Sequence, residues 1–117
     1  MNNVGEQIYF GEIVKSCRTF EPKELLAVLK ANINIFFSWG VSHPTVDNQK
    51  NTRMFRMNVR GHHHKGYVYI FLNGMDLYDV YLTDFADKIK MIQTDLYFDM
   101  LADWIDEAIE KVPAYRY

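Results

Sequence analysis

The sequence predicts an α+β fold in which helices cover one face of an antiparallel sheet of about four strands. Runs rich in β-branched and aromatic residues follow one another between turn signals, as in antiparallel hairpins. An apolar stripe at helical spacing precedes these runs, and a longer one follows them. The chain has 117 residues, the length of one domain, so we expect 1–117 to form a single α+β domain.

The first predicted helix is short and begins at Glu21-Pro22, because proline is favoured in a first helical turn. Its apolar stripe consists of Leu25, Leu26, Val28 and Leu29. Asn32 or Asn34 is expected to end it. Residues 7–14 fit either a short strand or a turn of helix.

The predicted strands are four runs, INIFFSWGV (33–41), RMFRMNVR (53–60), GYVYIFLN (66–73) and DLYDVYLT (76–83). His43-Pro44 and the polar residues 47–52 predict a loop. GHHHKG and Asn73-Gly74 connect the last three runs, and Asn-Gly is a strong hairpin signal. The connection at Asn73-Gly74 is expected to keep Asp79 out of the core. In that register one row of the third run, Val68, Ile70 and Leu72, lies beside one row of the fourth run, Tyr78, Val80 and Leu82.

From Thr83 onward the apolar spacing becomes helical, and Thr83 or Asp84 can cap the helix. The recurring residues are Phe85, Ile89, Ile92, Leu96, Met100 and Trp104, and Pro113 ends the pattern. We therefore expect a long C-terminal helix with Trp104 in the core, packed on the same face as the first helix. A break near 93–95, with Thr94 capping a second helix, is the alternative.

The GHHHKG segment, residues 61–66, is interpreted as an exposed hairpin tip of six residues. Pairing of Arg60 with Tyr67 gives one apolar face and one aromatic, basic face. Adjacent histidines in a flexible tip converge poorly on one ion, since metal ligands favour helical spacing or two rigid elements. We expect no metal and no cofactor here. Contact with phosphate through Lys65, Arg60 and Arg53 is the alternative.

The second sheet face carries the candidate binding residues, because two helices are expected to cover only the first face. These residues are Arg56, Asn58, Arg60, Lys65, Tyr67, Tyr69, Phe71 and Tyr81. Aromatic residues and arginine are enriched in protein interfaces, and the same combination can stack bases and hold phosphates. A solvent-facing sheet stabilised by cross-strand tyrosine pairs, without any ligand, is the third reading.

Charge and composition restrict the function classes. Net charge is −2, which is poor for a dedicated nucleic-acid binder. Residues 1–73 hold nine Lys/Arg and five Asp/Glu, whereas 74–117 hold four and ten. Cys17 is the only cysteine, so no internal disulfide forms and a reducing compartment is indicated. No secretory signal and no run of about 20 apolar residues is visible. A cytoplasmic protein without membrane contact is expected.

Catalytic motifs are missing from the sequence. It contains no Gly-rich phosphate loop, GxSxG, HExxH or CxxC. The carboxylates from Asp84 to Glu110 fit the solvated face of a helix better than an acid/base pair. We nominate no catalytic residues and predict a non-enzymatic protein that binds a protein partner or a second copy. Single-stranded nucleic-acid binding is the alternative.

The stretches RGHHHKGYVYIFLNGMDLYDVYLT and YFDMLADWIDEAIEKV resemble small uncharacterised proteins of bacterial phages and mobile elements. The resemblance covers about the C-terminal half and establishes no catalytic or binding residues. It implies an accessory protein that acts in the cytoplasm, and it shifts the expectation toward nucleic acid.

The histidine interpretation predicts that a chelator leaves the melting temperature unchanged. A structural zinc ion contributes directly to folding, so its removal destabilises the protein. Thermal melts with and without EDTA measure the difference. A clear drop in melting temperature with EDTA would show that the histidines hold a structural metal.

Overall fold

The computed structural model describes residues 2–110, and it shows an α+β architecture with one antiparallel sheet. Five strands lie in chain order across the sheet: β1 (Ser42–Val46), β2 (Phe55–Arg60), β3 (Lys65–Leu72), β4 (Tyr78–Thr83) and β5 (Ile89–Leu96). The helices are α1 (Phe10–Ile13), followed by a 3-10 turn (Val14–Ser16), α2 (Pro22–Leu29), α3 (Ile33–Ser38) and α4 (Phe98–Ile109). The sheet therefore has one strand more than the sequence predicts.

The first sheet face is covered by α2, α3 and α4. The predicted helix at Pro22 is confirmed, with proline in its first turn and Leu25 and Leu29 buried. These side chains share one core with sheet residues such as Met57, Val68 and Ile70. Within residues 2–110, no helix has the length and apolarity that a membrane crossing requires.

The second sheet face is also covered, which contradicts the expectation that it stays open. Ile8 and Val14, from the segment of residues 5–17, pack on Tyr69, Phe71 and Ile89. Backbone bonds fix this segment, because Gly5 N–H donates to Ile89 O (2.9 Å) and Ile8 N–H to Asp87 O (2.8 Å). The prediction failed because it counted two helices, whereas this cover is a third segment with a four-residue helix and a 3-10 turn.

Residues 33–46 differ from the prediction in two places. The run predicted as a strand contains α3, because Asn32 Oδ1 accepts from Ile35 N–H (3.4 Å) and caps the helix. Phe36 and Trp39, three residues apart, bury themselves on one side. His43-Pro44, predicted as loop, belongs to β1, which pairs with β2 around an irregularity where His43 has a φ of 50°.

The strand β5 replaces the first half of the predicted C-terminal helix. Its pairing with β4 is shifted twice, between Leu82 and Thr83 and between Tyr78 and Val80. Each shift inserts an extra residue into β5, so its buried residues no longer alternate strictly. Ile89 and Leu96 are buried in different cores. The spacing of Ile89, Ile92 and Leu96 therefore imitates a helical period.

The C-terminal helix α4 spans 12 residues and packs on the first face. Leu101, Ile105 and Ile109 are fully buried, whereas Trp104 is half-buried at the edge of the core. The fully buried tryptophan is Trp39, whose Nε1–H donates to Asp106 Oδ1 (3.0 Å). Pro113, the predicted helix stop, lies outside the described residues.

The β2–β3 hairpin is shifted by two residues from the predicted register. Arg60 pairs with Lys65 and not with Tyr67. A shift of two preserves the faces, because side chains alternate with period two. The tip shrinks to residues 61–64, closed by Gly61 N–H donating to His64 O (3.0 Å).

This tip is docked on the C-terminal end of α4 and is not a free loop. His63 N–H donates to Ile109 O (2.7 Å), a carbonyl of the last helical turn. His62 N–H donates to Glu110 Oε2 (2.7 Å), and His62 Nδ1 lies 2.7 Å from Glu110 Oε1. The side chains of His62 and His63 stay exposed, while Gly61 is buried against the helix.

The β3–β4 hairpin has the predicted register. Ile70 pairs with Val80, and Leu72 with Tyr78. Asn73 N–H donates to Leu77 O (2.8 Å), and Asn73 Oδ1 accepts from the N–H groups of Met75 and Leu77 (2.9 and 3.2 Å). The asparagine side chain therefore organises the turn.

Gly61→Ala should destabilise the protein, because a Cβ at position 61 would overlap Ile109 at the end of α4. Overpacking of this kind costs ~1–3 kcal/mol. The free energy of unfolding by denaturant measures the loss. Gly11→Ala is the matched control, since a Cβ there meets nothing within 4 Å. Equal stabilities for the two variants would contradict the docking of the tip.

Candidate functional site

The candidate site is the second-face side of β2, which we call the arginine row: Arg56, Asn58 and Arg60. Strand alternation buries Phe55, Met57 and Val59 on the first face and turns the arginine row to the other side. Arg60 is exposed, and Arg56 and Asn58 are half-buried. The segment of residues 5–17 covers the β3–β5 part of this face, and the arginine row remains accessible beside it.

Both guanidinium groups of the row lie over aromatic rings. Arg56 Cζ is 4.4 Å from the ring centroid of Tyr67 and 6.0 Å from that of Tyr69. Arg60 Cζ is 5.0 Å from the centroid of Phe85. Stacking of this kind is attractive and fixes the plane of the guanidinium. The N–H groups of the exposed Arg60 remain available to an anion.

The arginine row has no carboxylate partner in the described part of the chain. The ion pairs of residues 2–110 lie elsewhere, as in the Arg18–Asp76 pair (3.1 Å). Two buried polar atoms of the row, Arg56 Nε and Asn58 Oδ1, have no hydrogen-bond partner, and Arg53 Nε shares this property. Unpaired buried polar atoms cost free energy.

Tyr69 and Phe71 belong to the interior and not to an exposed aromatic surface. Their exposed fractions are 1% and 0%, and their rings stack at 6.3 Å between centroids. Tyr69 Oη–H donates to Asp87 Oδ1 (2.6 Å). Burial, and then the bond to Asp87, raise the pKa of Tyr69 to about 12. Both residues are therefore structural, which corrects their assignment to a binding face.

The other predicted site residues divide between surface and core. Lys65 is exposed opposite Arg60, and Tyr67 is half-buried beneath Arg56. Tyr81 is half-buried and meets Phe71 edge-on at 5.5 Å. The sequence missed Phe85, which is 41% exposed beneath Arg60, because it was assigned to a helix. Its place next to a basic strand has no local signal in the sequence.

The histidine tip forms a small cavity of about 330 Å³ with Arg60, Lys65 and Glu110. The Glu110 carboxylate is already bound by His62 inside it. The Nε2 atom of His64 lies 3.4 Å from Tyr67 O. Burial lowers the pKa of the His64 imidazole. Within residues 2–110, no three His, Cys, Asp or Glu side chains converge as metal ligands.

Cys17 is half-buried behind the second face. Its Sγ–H donates to Ile13 O (3.1 Å), and burial raises the pKa of the thiol to about 11, with a further contribution from Asp79. The thiolate is the reactive form of cysteine. These surroundings are those of a structural thiol.

Comparison of the chain with models of known protein families found no match, and comparisons with curated proteins and with solved structures found no significant one. The resemblance to proteins of phages and mobile elements therefore stays a prediction from the sequence.

The raised pKa of Tyr69 predicts a loss of stability in alkali. The neutral phenol is favoured in the folded state, so this contribution is complete below pH 10 and disappears as the pH rises towards about 12. Tyr69→Phe should show a shallower decline across that range. Denaturant unfolding at successive pH values measures the slopes. Tyr97→Phe, at an exposed tyrosine, is the control. Identical slopes for Tyr69→Phe and the parent protein would contradict the assignment.

Proposed function

We propose that this chain is a non-enzymatic binding protein of the cytoplasm whose arginine row receives an acidic segment of a protein partner. The observation that carries the proposal is the pair of stacked arginines without a carboxylate partner in residues 2–110. The exposed Lys65 opposite Arg60 supports it, because a further cation on the same face attracts a carboxylate.

The geometry favours carboxylate ligands on an extended peptide. Arg56 and Arg60 lie on one strand, four residues apart, which corresponds to ~13 Å at ~3.3 Å per residue. An extended segment with acidic residues at i and i+4 has the same spacing. Each guanidinium can bind a carboxylate through two N–H groups. Because stacking already restricts the arginines, less side-chain entropy is lost on binding.

Single-stranded nucleic acid is the second candidate. Arg60 and Lys65 lie next to each other in the β2–β3 pairing and can contact phosphates. Sequence-tolerant binding of bases also requires exposed aromatic faces. Tyr69 and Phe71 are buried. The guanidinium groups of Arg56 and Arg60 already cover one face of the Tyr67 and Phe85 rings. This arrangement favours an acidic protein segment as the ligand over a single nucleic-acid strand with stacked bases.

A second copy of the chain is a further source of acidic residues. Pairing along the sheet edges is disfavoured, because β1 and β5 are both irregular and such edges resist strand addition. A dimer would have to bring acidic residues of one copy to the arginine row of the other. An accessory role in a mobile element rests on the sequence resemblance alone.

A labelled peptide with glutamates at i and i+4 should bind the protein, and its glutamine counterpart should not. Arg56→Met and Arg60→Met should each weaken binding about tenfold or more, because hydrogen bonds between charged groups contribute ~1.5–3 kcal/mol. Fluorescence anisotropy measures both effects. Lys23→Met, at an exposed lysine on α2, is the matched control and should bind like the parent protein.

A labelled oligonucleotide and the concentration dependence of particle size complete the test. Salt-sensitive oligonucleotide binding that both arginine variants weaken would transfer the site to nucleic acid. A dimer lost in Arg56→Met would identify a second copy as the partner. Failure of the peptide to bind under any condition would refute the protein-segment proposal.

A further inference from the structure

A groove between α2 and α4 lies on the helical side of the molecule, across the sheet from the arginine row. Its volume is about 570 Å³. Half of its lining consists of small apolar side chains, namely Ala27, Val28, Ala31 and Ala102. Phe98, at the start of α4, and the carboxylates of Asp99 and Asp103 lie beside them. Asn32 also contributes.

The groove exists because α4 has two apolar surfaces. Leu101, Ile105 and Ile109 face the sheet and are fully buried. Phe98 and Ala102, four residues apart, lie on a neighbouring flank of the same helix. Phe98 remains 65% exposed, so the core does not use its ring. The ring of Phe98 continues into the small residues of the groove, so an apolar surface stays open beside α4.

One side of the groove is acidic. Asp99 and Asp103 are exposed, and no ion pair of residues 2–110 includes them. Residues 98–110 contain no lysine or arginine. Lys30, at the end of α2, is directed to the ring of Phe36, with 5.4 Å between Nζ and the ring centroid. The unpaired carboxylates next to an apolar surface match a ligand that is both apolar and cationic.

We propose that this groove docks a basic amphipathic helix of a partner protein. Its apolar stripe would lie on the small residues and Phe98, and lysines or arginines at the border of the stripe would pair with Asp99 and Asp103. Helices in grooves bind through apolar anchors at i, i+3, i+4 and i+7. Small side chains on α2 and α4 allow a third helix to approach closely. The docking site is independent of the arginine row, because the sheet separates the two.

Two synthetic helical peptides with the same leucine stripe test the proposal. One carries lysines along both borders of the stripe, and the other carries glutamates there. The lysine peptide should bind the parent protein at least about tenfold more tightly, since two surface ion pairs of ordinary strength together give about that factor. Isothermal titration calorimetry measures the affinities. The NMR amide signals of Ala27, Ala31 and Ala102 should shift on binding.

A charge reversal provides the sharpest control. The double variant Asp99→Lys, Asp103→Lys alters only exposed side chains and should reverse the preference to the glutamate peptide. Glu12→Lys, at an exposed carboxylate on α1, should leave the preference unchanged. Circular dichroism confirms the fold of each variant. Equal affinities for the two peptides, an unchanged preference in the double variant, or amide shifts at the arginine row instead would overturn the proposal.

Discussion

The burial of β3 on both of its faces is the constraint on which the rest of the structure depends. Val68 and Ile70 face one side, and Tyr69 and Phe71 face the other, all at or near zero exposure. Leaving either pair in water would forgo ~1.5–3 kcal/mol for each large apolar side chain. The helices α2–α4 cover the first face, and the segment of residues 5–17 covers the second. The accessible surfaces are those that this double cover leaves open.

The position of α4 is fixed at two places by polar contacts with the rest of the fold. Trp39 binds Asp106 in the core, and the hairpin tip donates backbone N–H groups to Ile109 and Glu110 at the helix end. A buried bond to a carboxylate is strong in low dielectric and is costly to break. These contacts hold the C-terminal half of α4 against the sheet. The histidines thus have a structural explanation, through their backbone more than through their rings.

The sequence was sufficient where a local pattern and the tertiary environment agree. Strand alternation predicted both faces of β2, β3 and β4, and keeping Asp79 out of the core gave the correct register for the second hairpin. The sequence did not predict the secondary structure where tertiary packing outweighed the local pattern. Bulges gave the apolar residues of β5 a spacing like that of a helix. Asn32 capped a helix within a run rich in residues that favour strands. The cover by residues 5–17 depends on contacts with β3 and β5 that no local signal encodes.

The predicted site residues show the same division. Alternation correctly put arginines and aromatic residues on one face, but it could not show that Phe71 faces a second core while Tyr67 supports Arg56. Part of the charge asymmetry of the sequence has a spatial counterpart, because the arginine row and the groove with Asp99 and Asp103 lie on opposite sides of the sheet. Asp87 is an exception, since it accepts a hydrogen bond from Tyr69 on the same side as the arginine row. An anionic ligand attracted to the arginine row is repelled by the side that carries Asp99 and Asp103. Under the two proposals, the surfaces would select ligands of opposite charge, and no single uniformly charged partner would satisfy both.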